Sequence, residues 1–334
     1  MLIGNSCQYS YCLNKQQNTR ELSFRRILPR HLFIQRSGYS KSRLWANAMI
    51  KTIDKNAAKL RTNDFLEVLE GIKKDYHDFF VNNRRNKELF EVGNDSLSIC
   101  KGYGEDRTLI WSFSSAKETR YESYTKNADL LFCKDNKNIH PFTPTRNFAN
   151  IFMYYMHRYH QSSIEIDGKI IPLSRIYEVN LPPSHNLYSD FGKHFFYWEN
   201  PPVESIEPVK KHIGKLYKEI TLLHKDLENS FKTKQTMNEI NRKIAEIHWL
   251  LCQSVPYTRG TAGIADVAVK TMYESLGIQV SPWRSGIAPD MEALTTPLYE
   301  YRNNYAGLFT KTPALFNTKI IKLLMNRFKG TSKN

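Results

Sequence analysis

Cysteine is scarce in this chain: Cys7, Cys12, Cys100, Cys133 and Cys252 are odd in number, widely spaced and free of CxxC or Cys/His ligand spacing. That pattern argues against a disulfide framework or a zinc site and suits a reducing cytosol. Also lacking is any run of about 18 apolar residues, so no membrane span is expected. The opening residues have neither the charged start nor the apolar run of a Sec signal, and Leu2 does not fit N-myristoylation, so export would need another signal. No Cys/His finger or RNP-like aromatic motif accompanies the basic residues, so specific nucleic-acid binding is not expected. No paired-carboxylate motif demands a divalent metal, and the sequence leaves the metal requirement undecided.

What the chain does have is apolar substance and positive charge. Apolar residues make up 41% of its 334 positions and aromatics 13%, enough for a sizeable core in one large domain or in two lobes sharing one. Lysine and arginine number 48 against 33 aspartates and glutamates, a net charge of +15, and such a field favours acidic partners.

Residues 1 to 38 are rich in Ser, Asn, Gln and Arg without a sustained period and read as a mobile arm that could carry a secretion signal. From Ser40 to Asn82 two helices are suggested, one by Leu44, Met49, Ile50 and Ile53, the next by Phe65, Val68, Leu69, Ile72 and Tyr76, with Asn63 or Asp64 as its cap. Ile164 to Ile171 alternates apolar residues around Asp167-Gly168, a strong hairpin signal. Pro182-Pro183 and Pro201-Pro202 bracket an aromatic-rich loop where regular helix is not expected. Long helices are expected from Glu207 to Lys232 and from Thr236 to Ser254, the latter on Ile240, Ile244, Ile247 and Leu251. Ile264, Ala268, Met272 and Leu276 mark another, ending at Gly277 as its C′ residue. Asp266 and Lys270, four apart on it, read as an ordinary surface pair. The basic amphipathic stretch Thr318 to Lys329 fits either a closing core helix or peripheral contact with an anionic membrane.

The segment richest in chemistry runs from Ile247 to Ile264. Pro256 cannot continue the helix before it, and Gly260 to Gly263 would let backbone approach a ligand at the start of the next. Free N–H groups at a helix start favour an anion, and Arg259 adds a planar fork suited to phosphate. Read from residues alone, the same corner also serves as a plain helix junction with an arginine tied to loop carbonyls. His248 and Trp249 read as a satisfied core histidine and a packed indole.

This stretch, with Glu274-Ser275-Leu276-Gly277-Ile278, Pro282-Trp283-Arg284-Ser285-Gly286 and Pro289-Asp290-Met291-Glu292-Ala293, resembles the C-terminal signature of the avirulence protein B family of bacterial type III effectors. Gly168 to Leu173 and Tyr39 to Asp78 add fainter similarity. The resemblance implies a mainly helical fold (mainly α, α+β): a Fido-like bundle, related to Fic/Doc proteins, over 39–125 and 205–312, and a smaller inserted lobe with a β-hairpin over 126–204; the basic amphipathic tail over 313–334 lies beyond the region that resembles the family. It implies a nucleotide-sugar donor or other nucleoside diphosphate held by Arg259, Gly260, Thr261 and Ala262, with Arg259 as the nucleotide-binding arginine. Asp290 matches a functionally required aspartate, although a residue after Pro289 could equally be an N-cap. Thr143 matches a required threonine, though a turn hydrogen bond would also explain it. The family uses a histidine before its central helix, for which His185 and His194 are candidates without matching spacing, and His194 is the one assigned.

The expected activity is transfer of a sugar, such as a deoxyhexose, to a hydroxyl of a host protein by an effector secreted into the host cytoplasm or its membrane surface. The alternatives are nucleotidyl (AMP) transfer and non-catalytic binding of a host protein. Val255 stands where Fic enzymes place a histidine base before Pro-Phe, which disfavours AMP transfer, and His140-Pro141-Phe142 lacks the rest of that motif.

Overall fold

The computed structural model describes residues 43–83, 157–180, 182–184, 194–229, 233–254, 261–284 and 287–315. The arm, Thr143 and the Thr318 to Lys329 stretch lie outside them. The architecture is mainly helical with small antiparallel strand pairs. No helix among the described residues is long and apolar enough to cross a membrane.

Helix α1 (Arg43–Lys59) buries Trp45, Met49 and Ile53 at four-residue steps, and Leu44 points outward, 44% exposed. Leu44 therefore marked the helix but not its core face. Helix α2 (Phe65–Asn82) begins where the side chain of Asp64 accepts a hydrogen bond from the Leu66 amide at 2.8 Å, and it buries Phe65, Val68, Leu69, Ile72 and Tyr76. The cap and the apolar stripe agree, which is why this helix was readable.

Strands β1 (Ser163–Ile166) and β2 (Lys169–Pro172) form the hairpin foreseen at Asp-Gly, pairing Ile166 with Lys169. Asp167 at φ 49° and Gly168 at φ 76° adopt the left-handed conformation that a two-residue turn of this kind requires at both positions. A second antiparallel pair joins β3 (Arg175–Asn180) to β4 (His194–Glu199), and β4 lies in the aromatic-rich stretch expected to be a loop between Pro182 and Pro202. An Arg175–Glu199 ion pair closes its open end.

Helix α3 (Val203–Asn229) starts four residues before the expected Glu207, so Pro208 lies inside it rather than in its first turn. It packs against α4 (Thr233–Ser254), which buries Ile240, Ile244, Ile247 and Leu251. The centre of the bundle is α5 (Thr261–Ser275), flanked by α1, α2 and α4. Every residue from Gly263 to Glu274 is buried, so α5 has no solvent face. It ends at Gly277, φ 72°, the expected C′ residue.

The chain then forms the short strand β5 (Ile278–Gln279), helices α6 (Pro289–Thr295) and α7 (Leu298–Asn304), a 3-10 turn at Tyr305–Leu308, and β6 (Ala314–Leu315) paired to β5. Both α6 and α7 lie against α4.

The burial of α5 overturns the surface reading of Asp266 and Lys270. Both are 0% exposed, with Lys270 Nζ 3.4 Å from Asp266 Oδ1. Trp283 Nε1 donates to the same oxygen at 2.8 Å, and the Lys270 ammonium lies 5.3 Å from the centre of the Trp283 ring. The hydrogen bond to Asp266 fixes the chain after β5 to α5, and Trp283 stacks on Phe309 at 3.9 Å between ring centres, which ties it to the segment after the 3-10 turn.

Candidate functional site

The last three turns of α4 are buried on every side from Ile244 to Ser254, so this helix enters the corner as a rigid element. His248 Nδ1 lies 2.8 Å from the Tyr305 hydroxyl, and Trp249 Nε1 donates to the Thr296 carbonyl at 3.0 Å. Both residues are thus held within the core. Burial, with Tyr301, Tyr273 and Asp266 adding to it, pushes the Tyr305 phenol well above its ordinary range, so the ring meets His248 as a neutral hydroxyl.

Gln253, fully buried, ties the corner together. Its Nε2 donates to the Ala293 carbonyl on α6 at 2.8 Å, its Oε1 accepts from the Ser174 hydroxyl at 3.3 Å, and its backbone carbonyl accepts from the Ser174 amide at 3.3 Å. One side chain therefore joins the end of α4, the start of β3 and helix α6. His160 reinforces the joint, with Nδ1 3.1 Å from the Leu294 carbonyl and Nε2 2.7 Å from the Ser174 carbonyl. Burial lowers its pKa, outweighing these two carbonyls, which would favour a second proton. Gln161 accepts from the Leu298 amide at 3.0 Å, linking the same strand segment to α7.

Arg259 and Gly260 lie in 255–260, outside the described residues, as does Thr143. Thr261 and Ala262 open α5 and are partly accessible, so the positive end of a 15-residue helix is presented where the corner delivers the chain. Gly263 plays a different part from the one suggested for it. A Cβ there would stand 2.3 Å from the Tyr76 hydroxyl, so its glycine serves helix packing rather than approach to a ligand.

Asp290 is the second residue of α6, after Pro289 in the first position and Ala288 as N-cap. The capping role is therefore excluded. The carboxylate is nonetheless buried, 5% exposed, and the Tyr301 hydroxyl fixes the preceding turn by donating to the Pro289 carbonyl at 3.2 Å. Ala293, the partner of Gln253, lies three residues further along α6, so the contact that holds the end of α4 also positions the helix bearing Asp290. His194 begins β4 opposite Asn180. Among the described residues no group of three or more His, Cys, Asp or Glu is placed to hold a metal ion.

The end of α4 and the helix that bears the buried Asp290, fastened through Gln253, define a helical protein with a compact polar joint beside its central helix. Residues 199–312 of the chain match the family model of the AvrB/AvrC avirulence proteins. A stretch of 100 residues is 28% identical to avirulence protein B of Pseudomonas savastanoi pv. glycinea, covering 30% of this chain and 28% of that relative. The matched region holds α3 to α7, the corner and Asp290. It leaves Thr143, His194 and the β1–β2 hairpin outside, and of the β3–β4 pair it takes in only Glu199.

Sequence reasoning missed Gln253, Ser174 and His160, since lone polar residues at element ends carry no periodic signal. The Asp266–Lys270 pair did leave a trace. It is flanked by Ala, Gly, Ile and Val on all sides of the helix, and a helix apolar all round is a buried one.

Proposed function

We propose that the chain is a bacterial effector that acts inside a host cell, binding a nucleotide-linked donor at the α4–α5 corner and transferring its sugar to a hydroxyl of a host protein. The observation that carries this reading is that the avirulence-protein match takes in both residues 255–262 and Asp290, while Gln253 at the end of α4 holds Ala293 on the helix that bears Asp290.

Arg259 and the backbone from Gly260 to Ala262 hold the donor's phosphates at the positive end of α5, and charge growing on the leaving nucleoside diphosphate is stabilised there. The bond from the anomeric carbon to the phosphate oxygen breaks as a bond forms to the acceptor hydroxyl. Asp290 either takes that hydroxyl's proton or orients the sugar. Thr143 and His194 are the remaining candidates for contact with the reacting groups.

Intact-mass analysis of host proteins incubated with the chain and nucleotide sugars, or with ATP, tests the proposal. A hexose or deoxyhexose increment that disappears with Asp290→Asn supports it. A nucleotidyl increment, or none across a broad donor set, overturns sugar transfer.

A further inference from the structure

Helix α3 carries a feature independent of the corner. Between Lys211 and Lys225 its exposed residues are Lys211, Lys215, Lys218, Leu222 and Lys225. They follow one another at steps of four, three, four and three, so they form one narrow stripe about 21 Å long. The opposite side of the helix packs through Ile213, Leu216 and Ile220. Leu222, the one apolar residue of the stripe, is 60% exposed.

The stripe's shape and borders limit what it fits. Its cations are all lysines, compact point charges without the fork that reads phosphate bidentately. Carboxylates border it: Glu204 and Glu207 are exposed before it, Asp226 is exposed after it, and Asp167 of the hairpin lies 3.0 Å from Lys215 Nζ. A planar anionic surface would press on those carboxylates as well as on the lysines. A single narrow element along the stripe meets only Asp167, at Lys215.

We propose that this stripe docks an acidic segment of a partner protein, one helix or strand whose carboxylates match the lysine steps and whose apolar side chain covers Leu222. Charge complementarity speeds and orients such an encounter, and desolvation of Leu222 sets the register.

The test uses the full chain and a fluorescein-labelled oligoglutamate peptide with one central leucine, followed by anisotropy. Combined Lys211→Glu, Lys218→Glu and Lys225→Glu substitutions, all at exposed positions, are expected to weaken binding roughly tenfold or more. Leu222→Ser is expected to weaken the leucine peptide but not a pure glutamate peptide. As a control, Lys51→Glu, Lys59→Glu and Lys74→Glu change the net charge equally on α1 and α2 and are expected to leave affinity within about twofold. Equal loss in both sets reduces the effect to overall charge and overturns the proposal. Stripe-dependent binding to phosphatidylserine vesicles or duplex DNA that exceeds binding to the peptide overturns it as well.

Discussion

Replacing Lys270 with Met tests whether α5 is the closed centre of the fold. Lys270 and Asp266 are both 0% exposed, and Asp266 Oδ2 has no hydrogen-bond partner among the described residues. Removing the ammonium would leave the carboxylate buried with Trp283 Nε1 as its remaining polar contact. Loss of one partner from a buried pair costs about 3–5 kcal/mol, because a charge is left uncompensated in a medium that solvates it poorly. That is a large share of the roughly 5–15 kcal/mol by which domains are stable. With a urea m-value of about 3 kcal/mol/M, the unfolding midpoint should fall by about 1 M or more. The double variant Asp266→Asn, Lys270→Met keeps an acceptor for Trp283 and removes both charges, so it should recover most of the loss. A single variant within about 0.5 kcal/mol of wild type, the range of ordinary surface changes, would refute the burial of this pair.

Other consequences follow from the same structure. Gly263→Ala should destabilise by about 1–3 kcal/mol, since the added methyl meets the Tyr76 ring, and thermal unfolding measures it. Gln253→Leu removes the donor to the Ala293 carbonyl and one of the two partners of the Ser174 hydroxyl, which keeps His160 Nε2 at 3.2 Å; the loss should be about 1–3 kcal/mol and should raise amide exchange in α6 and at the start of β3 above that of α1. His160 has a pKa lowered by burial, so the fold favours its neutral form: its contribution is fully present above about pH 6.5 and is lost as pH falls through the depressed folded value. Urea midpoints at neutral and mildly acidic pH should therefore diverge more in the wild type than in His160→Gln, and equal divergence would contradict this.

How much of this was legible depended on whether one residue pattern answered to one physical cause. The α2 helix was readable because Asp64 caps it and a single stripe packs it, and the β1–β2 hairpin because Asp167-Gly168 suits the positive φ its turn needs. The β3–β4 pair was not. His194 to Glu199 is aromatic without alternation, and its partner strand ends 14 residues before it begins. The helix expected from Glu207 runs back to Val203, so Pro208 lies inside it. At the candidate site, Asp290 after Pro289 suggested a cap. Proline in the first helical position in fact assigns the cap to the residue before it, Ala288. Gly263 was ambiguous for a different reason: glycine answers equally to a ligand and to the Tyr76 ring, and only the packing distinguishes them.

The central claim, that the α4–α5 corner holds a nucleoside diphosphate through Arg259, is most directly tested by calorimetric titration of the full chain with ADP and with UDP, for wild type and Arg259→Ala. The account predicts saturable wild-type binding of at least one of them and a loss of about 1.5–3 kcal/mol in the variant, more than tenfold in affinity, with an unchanged melting temperature. Unchanged affinity in Arg259→Ala, or no binding of either nucleotide by the wild type, would contradict it.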